Sequence, residues 1–439
     1  MLDNVVLVGV LTTIARVAAG LKIAVSARYF GAGDAYDVFQ TAFLLPALLG
    51  EAVTVAFTSG IVPVLTQVRT AQGTLASARL VRSAITIALL LMSLLAAILW
   101  LGAPGVIRVL GSSFAESKQR RAQELFLALL LWLPLGAWIA TWRGVLHSHG
   151  KFAVAAGAQA ISPVLTINWL WLGGAQQGTW ALVTAILLGA LFEGAVLATA
   201  ARNMGYGCWP GSIRAQAWTP ELSSFSLQVR SLMLTALLAS VSLLIDQSFA
   251  GGLGTGSVSA LAYGTKVSGV LALICGTALG SVILPDFSLH AARREWDALG
   301  RKFERYAAFI ATILIPCAAL LMWKSELLVR VIFERGAFDS THTQMVAAVQ
   351  RFALAELPFA VLLIVASRLT TALNASRLLV YAGGATVVIN AALSWQFSRW
   401  WGVPGLTAAG SVTRAIALGI VLILLFRSRV TLWSKEDNV

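Results

Sequence analysis

The residues that could do chemistry in this chain are cations set within apolar sequence. Arg16, Lys22 and Arg28 interrupt the first apolar stretch, and Lys266 interrupts another in the second half. A charge at membrane depth costs about 2.5–3.5 kcal/mol on insertion scales, so each must face protein or water rather than lipid tails. Guanidinium and ammonium groups can replace the hydration of phosphate or pyrophosphate, so an anionic, phosphate-bearing ligand suits them. Arg16, Lys22 and Arg28 follow one another at steps of six residues. Each step turns about 120° around a helix, so the three share no single stripe. Arg28, near a span end, can snorkel to the boundary. Arg16 and Lys22 lie deeper, and at least one is expected to line an aqueous cavity. Asp37 opens the second apolar stretch, Glu51 lies within it, and Glu193 and Asp246 are acids in later ones. We read Arg16, Lys22, Lys266 and Asp37 as substrate-binding residues. Arg28, Glu51, Asp246 and Glu193 are candidates for cavity lining or switching. The competing reading for each is an ion pair that only holds helices together, for example Arg16 with Asp37.

Enzyme chemistry has no such carriers. His147, His149, His290 and His342 show no metal-ligand spacing, and the three cysteines, Cys208, Cys275 and Cys317, are far apart. There is no GxxxxGK loop and no HExxH pair. The glycines at 251–256 sit between apolar stretches and read as a tight turn. No enzyme, metal or cofactor is expected.

The elements that must position these residues follow from composition. The chain has 439 residues, 58% hydrophobic and only 12% charged, against about 25% charged in soluble domains. A chain this apolar could not cover its surface in water, which excludes a soluble enzyme and a disordered protein. Its apolar stretches are continuous rather than alternating, so a helical bundle is expected and a barrel is not. We place twelve spans: Val5–Phe30, Val38–Leu65, Ala84–Leu110, Leu125–Leu146, Ala153–Leu172, Trp180–Ala201, Ser226–Phe249, Val258–Leu284, Tyr306–Trp323, Val346–Leu369, Leu379–Phe397 and Leu406–Phe426. Pro46, Pro63, Pro134, Pro163, Pro316 and Pro358 fall inside spans, where proline often marks a bend.

The net charge of +13 fits basic loops on the cytoplasmic side rather than a nucleic-acid partner. With the amino terminus inside, Arg69, Arg79, Arg82, Lys151, Arg202, Arg214, the basic residues from Arg293 to Arg305, Arg377, Arg427, Arg429 and Lys435 fall inside, and Lys118, Arg120, Arg121, Lys324, Arg335 and Arg399 outside. Both termini are therefore expected on the cytoplasmic side of the membrane. The most basic loop, His290 to Arg305, is read as a topology determinant in preference to a lipid-specific site. A cleaved signal peptide is not expected.

A repeat divides the chain. AFTSGIVPVL (56–65) matches ALGSVILPDF (278–287), and the turn FGAGDAYD (30–37) stands opposite GLGTGSVS (252–259) at the same offset. Six spans per half give the halves one orientation. That implies parallel repeats, 1–215 and 216–439, with a site at their interface.

The stretch IARVAAGLKIAVSARYFGAGDAYDVFQTAFLLPALL (14–49) resembles the opening of the MurJ (MviN) family of lipid II flippases, in the multidrug/oligosaccharidyl-lipid/polysaccharide exporter superfamily. Further similarity lies in 241–288 and in VIFERGAFDS (331–340). The resemblance implies an all-α membrane fold of two six-helix bundles forming a V-shaped central cavity. Its cargo would be a polyprenyl-pyrophosphate-linked glycan moved from the inner to the outer leaflet. It places Arg16, Lys22 and Lys266 where the family holds the pyrophosphate, and Asp37 at the family's aspartate. The chain departs from the family after Pro46, where Ala47-Leu48-Leu49-Gly50-Glu51 stands in place of an arginine pair, and at Ile23 and Thr54-Val55. Two further carboxy-terminal helices of many members have no counterpart. Two other outcomes stay open on these residues. One is another lipid-linked oligosaccharide or exopolysaccharide precursor, or a small-molecule antiporter. The other is a non-transporting scaffold for cell-wall synthesis. With no ATP motif, the membrane potential or a monovalent ion would couple transport. The partners implied are the lipid-linked anionic substrate, membrane lipids, and cell-wall or polysaccharide synthesis enzymes.

Overall fold

A computed structural model of the chain describes residues 2–207, 220–373, 375 and 377–436. The expected boundary at 215/216, Arg214 and Cys208 lie outside the described residues. Among those described, regular structure is entirely helical. Among the described residues, ten helical stretches are long and apolar enough to cross a membrane by length and composition. The chain divides into two compact units, 1–240 with 335–338, and 241–334 with 339–439.

The first unit contains α1 (Leu2–Phe30), α2 (Asp34–Leu101), α3 (Ala103–Leu110), α4 (Glu116–Leu129), α5 (Trp132–Ser148), α6 (Phe152–Ala158), α7 (Ile161–Trp171), α8 (Trp180–Arg202) and most of α9 (Pro220–Gly251). The second expected span and most of the third lie on one 68-residue helix, α2, interrupted at Gly73 (φ 81°, ψ −173°). That backbone conformation is open to glycine and strained for residues with a side chain. α5 lies close against α2 and α8, and small residues make this possible. A Cβ on Gly144 would stand 2.2 Å from Ile61 Cγ2, and one on Gly194 would stand 2.2 Å from the Trp138 ring. Close backbone approach of this kind is how helices gain packing energy where the solvent is itself apolar. The outward residues of α1, among them Val6, Val10, Ile14, Val17 and Leu21, are exposed and apolar, the surface that lipid tails accept.

The second unit contains α10 (Ser257–Gly264), α11 (Lys266–Ala292), α12 (Trp296–Trp323), α13 (Ser325–Phe333), α14 (Ser340–Ala355), α15 (Leu357–Ala372), α16 (Arg377–Trp401) and α17 (Val403–Glu436). Its core joins Ile283 and Phe287 of α11 to Leu299 and Ile310 of α12, Val361 and Val365 of α15, and Val421 of α17.

Proline explains three helix breaks. The breaks before α5, α7 and α15 fall at Leu130–Leu131, Gln159–Ala160 and Glu356, just upstream of Pro134, Pro163 and Pro358. A proline nitrogen cannot donate to the carbonyl four residues back, and its ring crowds that carbonyl. Pro46, Pro63, Pro285 and Pro316 sit inside continuous helices. The two glycine-rich stretches are turns between helices, with Gly31 at φ 60° in one and Gly254 and Gly256 at φ 107° and 81° in the other.

Candidate functional site

α1 ends at the FGAG turn, and this end is built from several contacts. Arg28, exposed in the last turn, places a cation where the helix carbonyls carry partial negative charge. The Arg28 carbonyl accepts from the Ala337 N–H at 2.8 Å. Gly336 (φ 65°) lies so close that a Cβ would stand 2.4 Å from that oxygen. Phe338 is buried beside it. Thus Arg335–Phe338, the centre of the RGAF block, packs as part of the first unit. After it, Asp339 caps α14: its carboxylate accepts from the His342 N–H at 2.9 Å, and the His342 ring accepts from the Asp339 N–H.

Higher on α1, Arg16 is exposed and Lys22 half-buried, with the Lys22 carbonyl accepting from Ser26 Oγ at 2.9 Å. The competing arrangement, an ion pair of Arg16 with Asp37, is not formed among the described residues. Asp37 is buried in the first turn of α2, where an acid is favoured by the helix dipole, and its N–H donates to the Gly33 carbonyl. Its neighbour Asp34 holds Lys118 of α4 at 2.5 Å. Glu51 is exposed on α2, next to Gly50, against which the Trp132 indole packs.

Glu193 is buried on α8 and receives the guanidinium of Arg143 on α5. Arg143 Nε and the neighbouring Trp142 Nε1 are buried without a hydrogen-bond partner. At the end of α5, His149 Nε2 meets the Tyr206 hydroxyl at 3.2 Å, and that hydroxyl meets Ser77 Oγ at 3.2 Å. Burial pushes the His149 imidazole below its ordinary pKa and Arg69 adds to this, while the Val145 carbonyl opposes it.

The second unit holds another polar cluster. Asp246 of α9 accepts from Asn390 Nδ2 at 3.0 Å and from Ser394 Oγ at 2.7 Å, both on α16. Asn390 and Ser394 are buried. Glu356, at the break before α15, pairs with Arg414 of α17 at 2.5 Å. Lys266 is the first residue of α11 and is exposed, just after the break at Thr265. Among the described residues, no group of three or more His, Cys, Asp or Glu could hold a metal ion.

Arg16, Lys22, Arg28, Asp37, Glu51 and Glu193 therefore belong to the first unit, and Asp246 and Lys266 to the second. The sequence reading singled out Glu193 and Asp246 but missed their partners Arg143, Asn390 and Ser394. One signal was available: Asn390 and Ser394 stand four apart on a helix, so they present two polar groups on one face of an apolar element.

Comparisons with known proteins bear on what these clusters serve. The family model described as "Lipid II flippase MurJ" matches residues 26–436. The Rhizobium meliloti (strain 1021) protein named "Probable lipid II flippase MurJ" is 25% identical over 417 residues, covering 92% of this chain and 76% of that protein. Its namesake in Rhizobium tropici is 24% identical over 358 residues, covering 80% of this chain and 66% of its own length. The chain thus spans about two thirds to three quarters of these two relatives. In fold, it is similar to a structure titled "Lipid II flippase MurJ, inward closed conformation", with a TM-score of 0.80 at 18% identity, covering 96% of this chain and 87% of that one. A multidrug resistance MATE family transporter in an inward-facing conformation gives a TM-score of 0.77 at 14% identity, covering 97% and 96%. With its family model matched from the end of α1 to the end of α17, the chain belongs to the lipid II flippase MurJ family.

Proposed function

We propose that the chain is an alternating-access flippase that moves lipid II, a polyprenyl-pyrophosphate-linked glycan, from the inner to the outer leaflet of a bacterial inner membrane. The family match over residues 26–436 carries this reading. It favours lipid II over other lipid-linked glycans, small-molecule antiport or a scaffold. A flippase makes and breaks no covalent bond, so the chain is not an enzyme.

Arg16, Lys22 and Lys266 hold the phosphates in this reading. Arg16 and Lys22 precede the matched residues, and their place inside an apolar helix supports their role. Cations there are expensive unless they serve a ligand, water or a partner. Asp37 pairs with a basic residue in one state and releases it in the other. The repeat supports two six-helix halves, 1–215 and 216–439, with both termini cytoplasmic.

Coupling falls to Asp246. A carboxylate held by an amide and a hydroxyl inside apolar helices offers a place for a monovalent cation, and Glu356–Arg414 adds a second charged pair in that unit. One charge crossing 100 mV is worth about 2.3 kcal/mol, enough to bias a switch. Cell-wall synthesis enzymes would supply and take up the cargo. Complementation tests the reading. A strain depleted of its own lipid II flippase should grow when this chain is expressed and fail with Arg16→Ala or Lys266→Ala proteins that still insert. Failure of the wild-type chain to support growth, despite insertion, would overturn it.

A further inference from the structure

Charges from several helices of the second unit meet. Asp246 lies on α9, Glu356 at the break before α15, Asn390 and Ser394 on α16, and Arg414 on α17. Two hydroxyls fasten α17 to α14. Thr407 Oγ1 donates to the Val349 carbonyl at 3.1 Å, and Ser411 Oγ donates to the Phe352 carbonyl at 2.7 Å. Those carbonyls lie in the last turns of α14, so the two bonds set α17 beside the break that carries Glu356. Gly410 and Arg414, four residues apart, share the face that meets it. A Cβ on Gly410 would stand 3.3 Å from Glu356 Oε2, and Arg414 Nε stands 2.5 Å from Glu356 Oε1.

Asp246 is incompletely matched. Both of its hydrogen bonds, from Asn390 Nδ2 and Ser394 Oγ, fall on Oδ1. Among the described residues, Oδ2 accepts no hydrogen bond and Asp246 makes no ion pair. A half-buried carboxylate between apolar helices gains from a counter-charge. Arg414 is near enough to act on it, as is Glu356 with the opposite sign. Among the described residues Arg414 pairs with no acid other than Glu356, and its side chain is 49% exposed, so packing does not hold it in one place. One guanidinium thus stands in the field of two carboxylates and is paired with one of them. A guanidinium stays charged and presents several N–H donors in a planar fork, so it can serve either carboxylate.

We propose that Arg414 is a tethered counter-ion shared by Glu356 and Asp246, which competes with a diffusible monovalent cation for Asp246. With Arg414 on Glu356, as in this structure, Asp246 is open to the cation. With Arg414 turned to Asp246 Oδ2, the site is closed and Glu356 is released. The proposal rests on the coupling role given to Asp246 above and names what regulates that site.

The test follows melting of the full purified chain in detergent as sodium chloride replaces N-methylglucamine chloride at constant ionic strength. A cation that binds the folded chain raises the melting temperature by mass action, and the concentration at which the rise sets in reads its affinity. Arg414→Gln removes the competitor, so the onset should fall about tenfold, a difference of about 1.4 kcal/mol. Glu356→Gln drives Arg414 onto Asp246, so the onset should rise by about tenfold or more. Asp246→Asn should abolish the response. The cooperative transition of each variant without sodium shows that it folds. The double variant Glu356→Gln/Arg414→Gln separates exchange from a simple field effect. If Glu356 acts by holding Arg414, the double variant matches Arg414→Gln. If the two charges merely oppose one another through space, it returns to the wild-type onset, and that result overturns the proposal. An onset unmoved in Arg414→Gln overturns it too, as does the absence of any response in both wild type and Arg414→Gln, or a response that survives Asp246→Asn. Melting is read without lipid II. A chain that shows the expected pattern but moves no lipid II would sink the flippase reading alone, and a chain that moves lipid II without the pattern would sink this proposal alone.

Discussion

Breaking the Arg143–Glu193 pair should be far more harmful than deleting it. The two side chains are 14% and 7% exposed, and Arg143 Nε is buried without a partner. Glu193→Ala leaves a guanidinium in an apolar setting with its main acceptor gone. Loss of one partner of a buried pair costs about 3–5 kcal/mol. At roughly 2 °C per kcal/mol for a unit of this size, the melting temperature should fall by about 6–10 °C. Arg143→Met should cost a similar amount by stranding the carboxylate. The double substitution Arg143→Met/Glu193→Leu removes both charges and fills the space with apolar atoms, so it should melt within about 2 °C of wild type. Melting of the purified chain in detergent, followed with a thiol-reactive or intrinsic fluorescence probe, completes the cycle. If the double variant fell as far as the sum of the singles, the two residues would be uncoupled and the pairing refuted. If either single variant melted with the wild type, the burial argument would fail.

Three further outcomes follow from particular contacts. Gly336→Val puts a Cβ where the Arg28 carbonyl stands 2.4 Å away and forces a branched residue to φ 65°; a loss of about 2–3 kcal/mol is expected by melting, against a smaller loss, about 1 kcal/mol, for Phe338→Leu. The His149 imidazole has its pKa lowered from 6.5 in the folded chain, so the fold prefers the neutral ring, and stability present above that value is lost as pH falls through it. Hydrogen exchange over 145–151 and 201–207, corrected for intrinsic rate, should rise between about pH 7.5 and about pH 5.5 and should not do so in His149→Gln. Asp246→Asn keeps the shape of the cluster with Asn390 and Ser394 but removes its charge; transport should lose its dependence on the monovalent cation or membrane potential while the chain still inserts, and an unchanged dependence would exclude Asp246 from coupling.

What the sequence made legible was local. An apolar run of helical length reads as a helix whatever surrounds it, and Pro134, Pro163 and Pro358 announce interruptions because a missing N–H acts within four residues. The glycines of FGAG and GLGTG announce turns for the same local reason. The RGAF block stood out by resemblance, but no periodicity says that Gly336 packs on the Arg28 carbonyl, since that contact joins residues some 300 positions apart. Glu193 and Asp246 could be flagged as costly, because cost depends on residue type and depth. Their partners could not be named, because the helix faces that meet are chosen by packing. Arg143 drew no notice near the end of its span, where a cation can be solvated by snorkelling, yet the small residues Gly144 and Gly194 bring α5 against its neighbours and bury it.

The most direct measurement is headgroup accessibility of labelled lipid II in vesicles containing the purified chain. A membrane-impermeant reagent should reach essentially all of the labelled lipid with the wild type. It should reach only the outer-leaflet share with Arg16→Ala, Lys22→Ala or Lys266→Ala proteins reconstituted to the same density. Equal accessibility in protein-free and wild-type vesicles would contradict lipid II transport, and full accessibility in all three variants would contradict the role given to these cations.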